Sequence, residues 1–227
     1  SAIKNIPVDF YDAVEALKIE FDKGDVEKLS DYIDLLLETN RMFNLTAVTD
    51  PSQAWTKHIL DSLSLIPLLS EEGAEHVVDV GSGGGLPGIP LAITMPDVTF
   101  TLVESTKKKA LFLNEVVSSL GLDNVTVIAD RAENLATPDG GFRDIADAVI
   151  ARAVGPMNVL LELTIPFAKV GGVLCAIKGE RAPEEIEIAT EAFKLLHANV
   201  ESVKRTTTGT LVLIRKMKVT PRTYPRI

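Results

Sequence analysis

One stretch constrains the fold more than any other: Val77-Val78-Asp79-Val80, then Gly81-Ser82-Gly83-Gly84-Gly85, then Leu86-Pro87-Gly88-Ile89-Pro90. Three β-branched residues around a single acid read as a short buried strand. The four glycines that follow remove the Cβ atoms that stop a backbone from turning sharply or approaching a ligand closely. The segment beyond them reads as the start of a helix, whose N-terminus presents unpaired N–H groups. A cofactor is the natural occupant of such a turn, and several cofactors fit it.

The rest of the chain is organised around this unit. From His76 onward, strands predicted at 76–80, 99–103, 124–129, 146–151 and 171–177 alternate with helical stretches, the pattern of a parallel sheet wound on both faces. Two more strands, 200–207 and 210–216, are separated by little more than Thr208-Gly209 and read as a tight hairpin. The expected fold is therefore α/β and Rossmann-like, a seven-stranded sheet with a terminal antiparallel hairpin. Ahead of it, Phe10, Ala13, Val14 and Leu17 recur at helical spacing, as do Leu29, Tyr32, Ile33, Leu36 and Leu37. Lys23-Gly24-Asp25 separates these two helices, and Asp50 or Ser52 caps a third. Residues 1–70 are thus expected to form a helical extension packed on a catalytic domain of residues 71–227.

Composition excludes several classes. A length of 227 residues suffices for one large α/β domain with an appendage, and 46% hydrophobic with 24% charged residues suits a soluble globular protein. No apolar run approaches the roughly 18 residues that span a bilayer, and no signal-peptide pattern is present, so the expected compartment is the cytoplasm, without a membrane partner. The chain opens Ser1-Ala2 without methionine, as a processed tag remnant would. The single cysteine, Cys175, lies in the apolar run Gly172–Ile177 and reads as a core thiol. His58, His76 and His197 are scattered, so no metal site is expected. The net charge is −9, yet Lys204, Arg205, Arg215, Lys216, Lys218, Arg222 and Arg226 place seven basic residues and no acid after position 203, leaving −16 on the rest. A basic edge on an acidic body can meet a polyanion locally.

Gly83-x-Gly85-x-x-Gly88 satisfies the dinucleotide fingerprint, and Glu104 ends the second strand, where an acid accepts hydrogen bonds from a ribose. Those features serve a nicotinamide cofactor or S-adenosylmethionine alike. Two others favour S-adenosylmethionine: Asp79 completes a D-x-G-x-G-x-G pattern with Gly81, Gly83 and Gly85, and the sheet ends in a hairpin. Asp130, Arg131, Ala132 and Glu133 follow the third strand, where the adenine would lie, and Arg152 ends the fourth, next to the expected methyl group. Ala151-Arg152-Ala153 replaces the N/D-P-P-Y/F motif of amino-group methyltransferases, and no cysteine is placed to act as a nucleophile. The methyl acceptor is then an atom that is nucleophilic without activation. Guanine N7 is one, because no proton must leave before it attacks, and catalysis would be mainly alignment, with Arg152 in a positioning role.

Several segments together resemble the RsmG (GidB) family, bacterial methyltransferases acting on N7 of a guanosine (position 527 in the usual numbering) of 16S ribosomal RNA. They are FNLTAV (43–48), HILDSL (58–63), DVGSGGGLPGIPLA (79–92), LVESTKKKALFL (102–113), RAENL (131–135), ARAV (151–154), IKG (177–179) and TPRTYPR (220–226). The resemblance implies that Gly81, Leu86, Ala132, Glu133 and Arg152 contact S-adenosylmethionine, with Glu104 at its ribose. It also points to an RNA surface near the methyl-transfer pocket, drawing on Asn44, Thr46, His58, Asp61 and Lys178. The lysines Lys107, Lys108 and Lys109 are poorly suited to a helix start by the helix dipole, and with Arg222 and Arg226 they are expected to meet phosphates. Trp55, Ser62 and Phe112 are expected to be packing residues. The implied partner is 16S ribosomal RNA, either free or within the 30S subunit or an assembly intermediate. The family often continues past the position of Ile227 with further basic and proline residues, so part of the RNA surface is expected to be missing or unneeded. A small-molecule methyltransferase, a nicotinamide oxidoreductase and a non-catalytic RNA-binding factor are the rival classes.

Overall fold

A computed structural model describes residues 1–227. Its seven strands are β1 (His76–Val80), β2 (Thr99–Glu104), β3 (Val125–Ala129), β4 (Ala146–Arg152), β5 (Ala168–Lys178), β6 (Ala198–Arg205) and β7 (Thr210–Lys216), in the order β3-β2-β1-β4-β5-β7-β6. The first five are parallel and β7 runs antiparallel between β5 and β6. Strand β5 begins at Ala168, ahead of the glycine pair that suggested its start, because Ala168 already pairs with Ala146 across an irregularity in the ladder. Strand β6 lies two residues earlier than its apolar pattern predicts, with a register shift between Val200 and Ser202.

Helices α1 (Phe10–Ala16) and α2 (Asp25–Asn40) come first, followed by α3 (Pro51–Ala54), capped by the Asp50 carboxylate on the Ser52 N–H. Residues Trp55–Leu60 then continue as a π-helical segment into α4 (Asp61–Leu63), and α5 (Ile66–Glu71) leads to the sheet. Between the strands come α6 (Gly88–Thr94), α7 (Lys107–Leu120), α8 (Ala132–Leu135), α9 (Met157–Thr164), α10 (Ala182–Ile188) and α11 (Thr190–Leu195).

Side chains of one strand alternate between two cores. Val77, Phe100, Leu102, Ile150 and Cys175 pack with Phe10, Leu29, Ile33 and Trp55, so the N-terminal helices share a core with one face of the sheet. Val78, Val103, Val149, Leu174 and Val212 pack with Leu160 and Leu161 on the other face. Cys175 is the buried core thiol its surroundings suggested, and burial pushes it up to about 12. Trp55, Ser62 and Phe112 are also buried; the Trp55 indole N–H donates to the Ala2 carbonyl at 2.9 Å and its ring meets Phe10 edge-on.

The register decides which residues share an edge. The carboxyl ends of the five parallel strands lie together, and Lys178 at the end of β5 pairs with Thr210. The β6–β7 turn therefore joins that edge, and with it Lys204 and Arg205. The far end of β7 lies at the opposite edge, where Arg215 pairs with Val173. No helix is long and apolar enough to cross a membrane.

Candidate active site

The turn after β1 is held from several sides. The Gly81 and Ser82 N–H groups both donate to the Val103 carbonyl, at 2.9 and 3.1 Å. Below the turn, the fully buried Asp79 carboxylate accepts from the Gly88 N–H at 3.0 Å, which fixes the start of α6. Burial raises Asp79 to about 8, against the opposing effect of that N–H. Asp79 was expected at the cofactor, but it lines neither cavity at this edge and serves the turn from beneath. From α2, the Tyr32 hydroxyl donates to the Gly84 carbonyl at 2.7 Å. Helical spacing had marked Tyr32 only as an apolar-face residue.

Two cavities open above the carboxyl ends of the strands. One, of about 450 Å³, is lined by residues including Thr46, Lys57, His58, Gly81–Gly84, Leu86, Glu104, Lys109 and Arg152. The other, of about 530 Å³, is lined by residues including Gly81, Ser105, Asp130–Glu133, Val154 and Leu163. Gly81 lines both, so the two adjoin there, and together they make up a trough at the ends of β1, β2 and β4. Gly83 faces this space: a Cβ built there meets nothing nearer than the Gly81 carbonyl oxygen at 4.0 Å, and its φ of +56° favours glycine. Gly85, also expected at the cofactor, lines neither cavity. A Cβ there would lie 2.6 Å from the Ile89 side chain and 3.2 Å from that of Leu113, so its smallness serves packing of the turn on the core.

Glu104 stands at the trough wall, 5% exposed, accepting from the Gly83 and Thr106 N–H groups at 2.8 Å each. Its carboxylate is thereby fixed at the wall of the cavity. Ala132 and Glu133 line the second cavity, with Glu133 paired to Arg131 at 2.6 Å. An open glycine wall, an aimed carboxylate and a pocket after β3 fit an adenosyl cofactor of elongated shape.

Arg152, at the end of β4, is the centre of a network that sequence spacing did not reveal. Its Nη2 lies 3.1 Å from His58 Nδ1 and its Nη1 lies 3.6 Å from Asp61 Oδ2. Asp61 in turn accepts a hydrogen bond from the Thr208 hydroxyl in the β6–β7 turn. The His58 carbonyl accepts from the Ser62 hydroxyl at 2.7 Å across the π-helical segment that carries His58. Such segments recur at functional sites because they re-aim side chains. His58 and Asp61 are each 4% exposed. His58 lines the trough, but Asp61, also expected at the RNA, does not; its carboxylate faces Arg152 and Thr208. Burial and then the Arg152 charge lower His58 to about 4, and burial raises Asp61.

The His58 shift has a measurable consequence. An unfolded chain protonates this histidine near 6.5, whereas the folded chain resists until about 4. The contribution of neutral His58 to stability is thus complete above pH 6.5 and is lost as pH falls toward 4. His58→Gln is expected to flatten the decline in stability across that window, read by denaturant unfolding at about pH 7 and about pH 4.5. A variant with the wild-type pH slope would show that His58 titrates alike in the folded and unfolded chain.

The remaining expected RNA residues divide sharply. Lys109 lines the trough, Lys107 and Lys108 are exposed beside it, and Asn44 is exposed in the loop before Thr46. Lys178 is not free for RNA: its ammonium donates to the Gly155 carbonyl at 2.6 Å and pairs with Glu185 at 2.9 Å. Arg222 and Arg226 lie toward the edge of the sheet opposite the trough. Arg143, just ahead of β4, donates to the carbonyls of Thr220, Pro221 and Tyr224, which ties the tail to the amino ends of the parallel strands. Arg226 is also engaged by Glu162 at 2.6 Å. Lys57, exposed at the trough, is a basic residue that the charge count passed over.

A seven-stranded sheet in this order, with a glycine trough and an acid closing β2, defines a class I S-adenosylmethionine-dependent methyltransferase. The O-methyltransferase from Bacillus cereus in complex with SAH shares the fold, with TM-score 0.61 over 95% of this chain and all of that one at 18% identity. At higher similarity, the ribosomal RNA small subunit methyltransferase G of Sorangium cellulosum is 45% identical over 222 residues, 96% of this chain and 91% of the relative. That of Thermoanaerobacter sp. (strain X514) is 42% identical over 207 residues, 88% and 86% respectively. The model of the GidB family, rRNA small subunit methyltransferase G, matches residues 25–214, and the chain belongs to this family.

Proposed function

We propose that the chain transfers the methyl group of S-adenosylmethionine to N7 of one guanosine in 16S ribosomal RNA, with the RNA presented within the 30S subunit or an assembly intermediate. Family membership supports the RNA substrate, and one structural observation carries the choice of atom. In the cavity that holds Arg152, His58 and Glu104 are the only histidine and carboxylate, and neither stands free to take a proton from an acceptor. His58 Nδ1 faces the Arg152 guanidinium, Asp61 is buried between Arg152 and Thr208, and the Glu104 oxygens are engaged by backbone N–H groups. An acceptor that carries no proton suits such a site, and guanine N7 has a free lone pair on the edge of the base.

When bound, S-adenosylmethionine supplies an electrophilic methyl on a sulfonium. The chain supplies alignment: Glu104 and the Gly81–Gly84 wall bind the cofactor, and Arg152, held by His58 and Asp61, fixes the neighbouring surface. A base in folded RNA must be splayed out to reach such a trough. Methyl transfer from labelled cofactor tests the reading, with naked 16S RNA, 30S subunits and a pool of small metabolites compared. Label appearing in the metabolites but in neither RNA sample would overturn it.

The edge assignment changes the expected RNA path. Lys57 and Lys109 line the trough, and Lys107, Lys108, Lys204 and Arg205 lie on the same edge of the sheet, whereas Arg222 and Arg226 do not. Neutralising the lysine triplet, or Lys204 with Arg205, should weaken RNA binding and flatten its dependence on salt, by about 0.7–0.9 in the log–log slope for each phosphate no longer neutralised. Neutralising Arg222 and Arg226 should leave that slope unchanged. Titrations at several salt concentrations decide it, and the opposite ranking would put the RNA on the far edge.

A further inference from the structure

The network around Arg152 fixes the direction of every hydrogen bond in it. A guanidinium only donates, so His58 Nδ1 must accept from Arg152 Nη2. The imidazole proton then resides on Nε2, which lies 2.6 Å from the Thr46 hydroxyl oxygen and donates to it. The same oxygen accepts from the Val48 N–H at 3.0 Å. A hydroxyl has two lone pairs and one proton. Both lone pairs of Thr46 are therefore used within the protein, and its proton has no protein acceptor. Thr46 lines the trough beside Arg152. It is a donor-only group there, aimed by a relay that begins at the guanidinium.

We propose that Thr46 reads the methylated base, its hydroxyl donating to O6 of the guanine whose N7 takes the methyl. The inference rests on the guanine-N7 reading above and adds the group that enforces it. Guanine presents N7 and O6 side by side as acceptors, whereas adenine presents N7 beside an amino donor. A hydroxyl with no lone pair to spare bonds the first and cannot accept from the second. The alternative acceptor is the cofactor's carboxylate, and a loss of cofactor affinity in a Thr46 variant would reveal it.

The test uses single-turnover transfer to two target RNAs, one with guanosine and one with 2-aminopurine riboside, which lacks O6, at the methylated position. Calorimetry of S-adenosylmethionine binding accompanies it. Wild type is expected to lose about tenfold on the 2-aminopurine RNA, the worth of one hydrogen bond at a desolvated site. Thr46→Val should be slower by a similar factor on guanosine RNA and show no preference between the two RNAs, with cofactor affinity unchanged. Thr46→Ser, which keeps the hydroxyl, should restore the preference. Equal wild-type rates on both RNAs would overturn the assignment whatever the variants do. A Thr46→Val protein that still discriminates, or one that loses cofactor affinity tenfold, would overturn it too, the latter by giving the hydroxyl to the carboxylate. Wild type that leaves the guanosine RNA unmethylated would overturn the functional reading and this assignment together.

Discussion

The Arg152→Ala protein is expected to fold, to bind S-adenosylmethionine and to transfer its methyl group about a hundredfold more slowly than wild type, the scale on which small misplacements act when alignment is the main catalytic device. Lysine should not restore the rate. Arg152 uses two different nitrogens toward His58 and Asp61, a fork that a single ammonium cannot reproduce. The loss should be visible away from the reaction as well. Arg152 helps hold His58 near 4, so removing its charge should move the imidazole titration upward, followed by NMR. Wild-type turnover in a stable Arg152→Ala protein would remove the residue from the site.

Gly81→Val should abolish measurable cofactor binding. Gly81 has φ of +70°, and a Cβ there lies 3.3 Å from a Val154 methyl before any branch is added. Its position where the two cavities adjoin makes an added side chain an obstruction between them. Calorimetry with S-adenosylmethionine checks this, with Gly81→Ala as a milder companion whose fold is easier to preserve. Affinity unchanged in both would place the cofactor elsewhere.

The sheet was legible because parallel strands buried on both faces are written as apolar runs, and because Thr208-Gly209 interrupts two such runs at hairpin distance. The glycine turn was legible for the same local reason, and Glu104 from its place at the end of a strand. The division of labour inside the turn was not. Gly83 and Gly85 occupy equivalent places in the motif, yet one borders open space and the other faces Ile89 and Leu113. Nothing in the spacing distinguishes them, since the side each presents depends on φ angles and on helices packed from elsewhere in the chain. The basic tail misled for a related reason. Counting charges locates them along the chain, but the antiparallel direction of β7 decides which edge receives them, and it carries Arg222 and Arg226 away from the trough. The network of His58, Asp61, Arg152 and Thr208 joins residues up to 147 positions apart and leaves no periodic trace.

The contact between Thr208 and Asp61 also sets an order of events during synthesis. The ribosome delivers His58 and Asp61 early, Arg152 well after, and the turn that anchors Asp61 only 147 residues after Asp61 itself. Until then Asp61 lacks the partner that keeps its carboxylate directed at Arg152. A nascent chain can already display the glycine turn and the first strands. The aligned guanidinium therefore waits on the β6–β7 turn: a chain that stops before β6 lacks the hydroxyl that directs Asp61 at Arg152.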